Sequence, residues 1–179
     1  MRKQQLIPLL LLLSLALICI PSLGASKTKL LTGRISVVGH WPFIKTVIHT
    51  SEPKSYLVAG PLQPELDNLR GATVQVKGIP TFTEAFYKLT VLEVQEYEIL
   101  NVTKGGKPWV GILKSDGDIC LELTDKKRLV LDGTLTADLL KQTGAKVWVT
   151  GKMGRKGLFK KVLQVDAFGV IRPVKQVTK

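Results

Sequence analysis

The sequence predicts an all-β protein, rich in strands, that folds as two consecutive five-stranded barrels with one short helix in each. The first observation behind this class is an internal repeat, since residues 71–78 (GATVQVKG) are matched 73 residues later by residues 144–151 (GAKVWVTG). The second is that each copy alternates short apolar runs with turn residues and contains one apolar stripe at helical spacing. A segment of about 70 residues therefore occurs twice.

The first copy contains five strand patterns and one helical pattern. Leu62, Leu66 and Leu69 recur at i, i+4 and i+7, which indicates a short helix, and Gly71 follows it as a C-terminal cap. The Pro80–Glu84 segment is expected to be a loop, because proline interrupts a strand ladder. The predicted strands cover residues 31–38, 43–50, 56–59, 73–77 and 87–100.

The second copy repeats the same order of elements. Residues 115–118 (SDGD) carry a hairpin turn signal, a further turn is expected at Asp125-Lys126, and a helix is expected near Thr136 to Gln142. These patterns place the barrels at residues 30–100 and 109–173. A linker at 101–108 joins them, and a basic tail follows at 174–179.

Three strands, a short helix and two further strands, with a Gly-x-x-Val-x-Val-x-Gly fourth strand, resemble the OB-fold, a five-stranded Greek-key barrel. The resemblance covers residues 30 to 172. As a chain expected to be exported, it is similar to the bacterial OB-fold proteins of the periplasm. It implies that the loops after the first and fourth strands flank a ligand face. A pair of SH3-like barrels is the alternative, but the helix before the fourth strand argues against it.

The N-terminus has the order of a secretory signal peptide. Basic residues at positions 2 and 3 precede a mainly apolar run from Leu6 to Ile20, and Pro21 and small residues follow. The run has 15 residues, whereas spanning a bilayer takes roughly 20. We expect cleavage near residue 25 and an exported chain, periplasmic or secreted, with no transmembrane span. A retained anchor and a lipoprotein signal at Cys19 are alternatives.

The positive charge is concentrated in the second copy. Residues 30–100 carry 6 basic and 7 acidic residues, whereas residues 101–179 carry 16 basic and 7 acidic residues, a net charge of +9. The densest cluster is placed between the fourth and fifth strands of the second copy, where a flexible hairpin that contains glycine would let several cations converge on one anion. A solvated hairpin is the alternative. The predicted ligand-binding residues are Lys146, Trp148, Lys152, Arg155, Lys156, Lys160 and Lys161.

Trp148 has two interpretations. It alternates with Val147 and Val149, so it points outward if those valines point into the barrel. An outward tryptophan beside Lys146 could stack on a base or a sugar ring. Packing against the sister barrel is the favoured interpretation, because tandem domains on short linkers commonly touch.

No sequence motif indicates catalysis, a metal or a cofactor. The two histidines lie in different elements, only Cys120 remains after signal cleavage, and the acidic residues are scattered. Single-stranded nucleic acid is disfavoured, because most aromatic residues lie in the near-neutral first copy.

We therefore expect an exported, non-catalytic binding module that holds an anionic envelope component or an acidic protein through the second barrel. The alternative is a structural adaptor in the cell envelope. In that case the aromatic-rich first barrel makes protein contacts through Trp41, Phe43 and Phe82.

Overall fold

The predicted all-β class is confirmed by a computed structural model, which describes residues 27–102, 106–156 and 160–174. The predicted signal peptide, residues 1–25, lies outside the described residues. So do residues 103–105 of the predicted linker and residues 175–179 of the predicted tail.

The first sheet closes on itself around a single core. Its strand order is β1-β2-β3-β5-β4, and β4 returns to pair with β1. The β3–β5 pair is parallel, and the other pairs are antiparallel. The elements are β1 (Lys29–Val38), β2 (Lys45–Thr50), β3 (Ser55–Ala59), α1 (Gln63–Asp67), β4 (Thr73–Glu84) and β5 (Leu89–Asn101).

The second sheet repeats this arrangement in the order β10-β8-β7-β6-β9, and it is also closed. The hairpin turn predicted at residues 115–118 is formed tightly around Gly117, whose φ is +77°. The elements are β6 (Trp109–Asp116), β7 (Asp118–Leu123), β8 (Arg128–Asp132), α2 (Thr136–Leu140), β9 (Lys146–Lys156) and β10 (Lys160–Arg172).

The repeated glycine and valine positions serve the same purpose in both barrels. Val74 and Val76 of β4 and Val147 and Val149 of β9 are fully buried in their respective cores. Alternation along a strand sends every second side chain into the barrel, so these valines fill the interior. Gly71 has a φ of +83°, a conformation that favours glycine, but it is not the predicted C-terminal cap of the helix, because α1 ends at Asp67 and Asn68 is its C-cap.

Several predicted boundaries were wrong, and the first strand begins two residues earlier than expected, at Lys29. The Pro80–Glu84 segment is not a loop, because β4 continues through a register shift between Pro80 and Thr83, where a residue without an N–H is tolerated. The second and fifth strands begin two residues later than expected, at Lys45 and Leu89. The second helix ends at Leu140 instead of residue 142.

The two barrels touch through the parts of their sheets nearest the helices. Ile171, near the end of β10, is fully buried in the core cluster of the first barrel. Its carbonyl accepts a hydrogen bond of 3.0 Å from Asn68 Nδ2, just after α1. Val110 and Trp148 also pack against the first core. The last strand of the second barrel therefore completes the interior of the first.

Candidate functional site

The predicted basic loop is largely a two-stranded ribbon. We define the basic arm as Lys152–Lys156 of β9 and Lys160–Gln164 of β10. Along it Arg155 pairs with Lys161, and Lys156 pairs with Lys160. The expected hairpin is thus formed in all of this segment except residues 157–159, which lie outside the described residues, as does the Lys160 side chain.

Charges in the arm are poorly compensated. Lys156 reaches Asp132 at 3.6 Å, and the nearby acids Asp116 and Glu122 pair with Arg128. The described residues provide no acidic partner for the other basic side chains of described position, which are Lys152, Arg155 and Lys161. Cross-strand pairs of like charge destabilise a ribbon, so this arrangement is unfavourable for the protein alone.

Asp132 is the acid that faces the arm. A hydrogen bond from the backbone N–H of Gly133 holds the pKa of Asp132 below its ordinary value. Gln164, which donates at 3.2 Å, and Lys156 lower it further. This carboxylate therefore stays charged and neutralises one cation of the arm only.

The two faces of the arm differ. Met153 pairs with Leu163, which is fully buried in the second core, so Arg155 and Lys161 extend the inner face of the barrel beyond its mouth. These two residues, Met153 and Gly154 line a shallow depression of about 310 Å³. Lys152 and Lys156 lie on the opposite face. The structure therefore brings Arg155 and Lys161 together directly.

Lys146 does not belong to the arm. It is the first residue of β9, ten residues before Lys156, and a strand rises about 3.3 Å per residue. Its Nζ donates to Glu65 Oε2 at 2.7 Å and to Tyr97 Oη at 3.2 Å, both on the first barrel. Lys146 is therefore committed to the contact between barrels.

Trp148 also lies at the contact between barrels, and its favoured interpretation is confirmed. Its half-buried side chain packs against the core of the first barrel. Gly169 opposite it leaves room for the ring, because a Cβ there would lie 2.5 to 2.7 Å from indole atoms. Trp148 and Phe168 help to line a cleft of about 460 Å³ between the barrels.

Glu65 of α1 is a residue of the contact between barrels that sequence reasoning missed. It is only 5% exposed and accepts hydrogen bonds from Tyr97 Oη at 2.5 Å and from Lys146, while Arg172 lies 3.3 Å away. Burial alone raises the pKa of Glu65. Hydrogen bonds from Lys146 and Tyr97 and the two positive charges outweigh that effect and lower the pKa below its ordinary value.

Tyr97 responds in the opposite direction. Burial raises its pKa, and the hydrogen bond to Glu65 and the charge of that carboxylate raise it further. The phenol therefore remains a protonated donor. Glu65, Tyr97 and Lys146 together form the polar centre of the contact between barrels.

The three predicted protein-contact residues are all exposed at one end of the first barrel. We define the aromatic end as Trp41 and Phe43 of the β1–β2 turn and Phe82 and Phe86 of the β4–β5 hairpin. Their exposed fractions are 82%, 61%, 63% and 75%, respectively. The two segments meet where Tyr87 Oη donates a hydrogen bond to the Phe43 carbonyl. Phe86 was not among the predicted contact residues. Its position next to Tyr87 in the β4–β5 hairpin could have indicated it.

The remaining residues considered for chemistry are dispersed. His49 Nδ1 lies 2.7 Å from Ser55 Oγ, and His40 is in the β1–β2 turn. Cys120 is half-buried. In residues 27–102, 106–156 and 160–174, no three His, Cys, Asp or Glu side chains converge as metal ligands would.

Comparison with known proteins gave no family assignment. No protein-family model matches the chain, and no curated protein was found to be similar in sequence. Across the part of the chain that the structure describes, there is no helix long and apolar enough to cross a membrane.

Proposed function

We propose that this chain is an exported, non-catalytic binding protein built from two OB-like barrels, and that the basic arm binds an anionic partner. The observation that carries the proposal is the opposition of like charges across the β9–β10 ladder, Arg155 with Lys161 and Lys156 with Lys160. Among the basic side chains of the arm whose position is described, only Lys156 contacts an acid, Asp132 at 3.6 Å. An external anion would supply the missing negative charge.

The position of the arm supports this proposal. Each barrel has three strands, a helix and two strands, which is the element order of the OB-fold. In that fold the loop between the fourth and fifth strands flanks the ligand face. The arm occupies this place in the second barrel. The equivalent hairpin of the first barrel carries Phe82 and Phe86 and only one lysine, Lys88.

The chemistry of the arm favours a partner with several negative charges. Arg155 and Lys161 can approach one phosphate or carboxylate from the inner face, whereas Lys152 and Lys156 present charge on the outer face. Phosphates of envelope lipids or lipopolysaccharide, extracellular polyanions and acidic proteins all share this chemistry. If four cations contact a linear polyanion, log K should fall with log salt with a slope of about −3.

The experiment measures binding of the purified protein to immobilised polyphosphate across a range of salt concentrations. We expect a variant with alanine at positions 155, 156, 160 and 161 to bind at least about tenfold more weakly, since each lost charge contact contributes up to ~1 kcal/mol. The control variant replaces four lysines outside the arm, Lys107, Lys114, Lys127 and Lys141, with alanine. Equal loss in both variants, or no loss in the arm variant, contradicts the proposal.

A further inference from the structure

The aromatic end is unusual because four large apolar side chains protrude from the first barrel at the same place. Side chains that are 61% to 82% exposed have solvent on most sides, so they project outward and do not line a groove. Ile44, beside Phe43, is also exposed. Single exposed apolar residues are ordinary, but a cluster marks a surface that contacts something other than water.

The aromatic end is held in a fixed shape by the protein itself. The Phe43 N–H donates to the His40 carbonyl at 2.6 Å and closes the turn between them. In the hairpin, the Tyr87 N–H donates to Glu84 at 2.7 Å. Phe86 packs edge-on against Tyr87, with ring centroids 4.9 Å apart. Phe43 and Phe86 are therefore held in position by contacts within the first barrel.

The charges around these rings are mostly positive. Residues 37–44 carry no formal charge at neutral pH, and Lys45 follows them at the start of β2. In the hairpin, Lys88 is exposed, whereas the carboxylate of Glu84 is engaged by the Tyr87 N–H. Protruding aromatic rings with lysines behind them match the boundary between lipid headgroups and acyl chains.

We propose that the aromatic end inserts into the interfacial layer of a lipid bilayer. A fluid bilayer moulds itself around protruding side chains, so no complementary pocket is needed. The side chains of Trp41, Phe43 and Phe86 could reach the depth of about 5–10 Å at which interfacial apolar faces are buried. Lys45 and Lys88 would remain at the level of the headgroups, with their aliphatic stems along the apolar layer.

This surface is independent of the basic arm. The barrels meet at Glu65, Tyr97 and Lys146. Lys156 of the arm lies ten residues along β9 from Lys146, and Phe82 of the aromatic end lies six residues along β4 from Val76, the partner of Tyr97. At about 3.3 Å per residue, the tip of the arm is roughly 30 Å and the aromatic end roughly 20 Å along a strand from the contact between barrels. Attachment of the aromatic end to lipid leaves the arm free to bind its anion.

The test uses the full chain and phosphatidylcholine vesicles whose acyl chains are brominated, which quench tryptophan only within the apolar layer. The Trp41 signal is obtained as the difference between the parent and a Trp41→Phe variant. We expect this signal to shift to shorter wavelength and to be quenched, equally at low and high salt, because apolar insertion involves little charge. Every variant shares the same N-terminal segment, so the difference reports the aromatic end.

A double variant, Phe43→Ser with Phe86→Ser, should need at least about tenfold more lipid for half-maximal quenching of Trp41. The matched control is Leu140→Ser with Val174→Ser, which replaces two exposed apolar residues, one in α2 and one just after β10, and it should quench like the parent. The inference is overturned if the Trp41 fluorescence is not quenched by the brominated lipid. It is also overturned if position 43 crosslinks to an envelope protein while Trp41 stays unquenched. If Trp41 is not quenched but the protein still binds polyphosphate, only the membrane inference is contradicted. If Trp41 is quenched but the protein does not bind polyphosphate, only the proposed function is contradicted.

Discussion

Replacement of Glu65 with glutamine tests whether the two barrels are joined as the structure indicates. The substitution removes the charge but keeps one acceptor. The hydrogen bond from Lys146, whose side chain is 26% exposed, is charge-assisted and contributes about 1.5–3 kcal/mol. The bond from Tyr97 weakens by roughly 1 kcal/mol when its acceptor is neutral. Arg172 is 60% exposed and adds about 0–1 kcal/mol.

Glu65→Gln should therefore lower the free energy of unfolding by about 2.5–5 kcal/mol. The assay is urea unfolding followed by circular dichroism and tryptophan fluorescence. The control is Glu96→Gln, which removes an exposed ion pair with Lys77 and should lose less than about 1 kcal/mol. If both variants lose the same free energy, the polar centre of the contact between barrels has no special role.

Three further predictions concern acid stability and two glycines. The pKa of Glu65 is lowered in the folded state, so its stabilisation is present above its unfolded pKa of about 4.3 and is lost as the pH falls below that value. Urea midpoints should therefore fall more steeply below about pH 4.3 in the parent than in Glu65→Gln. Gly39→Ala should cost about 1–3 kcal/mol, because φ is +83° and the new Cβ would lie 2.5 Å from the Phe43 carbonyl oxygen. Gly169→Ala should displace the Trp148 ring and shift its emission to longer wavelength.

Each of these predictions has a result that contradicts it. Parallel pH profiles for the parent and Glu65→Gln would mean that Glu65 titrates normally. For Gly39→Ala the matched control is Gly117→Ala, where φ is +77° but no atom lies within 4 Å. Equal destabilisation would show that the contact with Phe43 is unimportant. Unchanged emission in Gly169→Ala would place the indole elsewhere.

The order of strands and helices was predictable from the sequence because it depends on local patterns, and these patterns occur in both copies of the repeat. Alternation at Val74 and Val76, and at their counterparts in the second copy, fixes which side faces the core. Strand ends were less predictable. Proline normally ends a ladder, but at Pro80 a register shift between Pro80 and Thr83 lets β4 continue to Glu84.

The candidate site was predictable only in part. Clusters of charge and aromatic residues are visible in a sequence, so the basic arm and most of the aromatic end were found. Contacts between distant positions leave no local pattern. Glu65 and Lys146 are 81 residues apart, and a glutamate on a short helix reads as a solvated side chain. Lys146 was therefore predicted to bind a ligand, although its side chain contacts Glu65 of the first barrel.

The burial of Ile171 in the first core has a consequence for synthesis of the chain. The ribosome delivers β1 to β5 well before β10, so the first barrel lacks this side chain, and the partner of the Asn68 amide, until the chain is almost complete. The first barrel is thus translated before the second, but its core is completed only when the end of the second barrel has been made. A nascent chain released before residue 171 leaves the first barrel with an apolar gap on the side of α1.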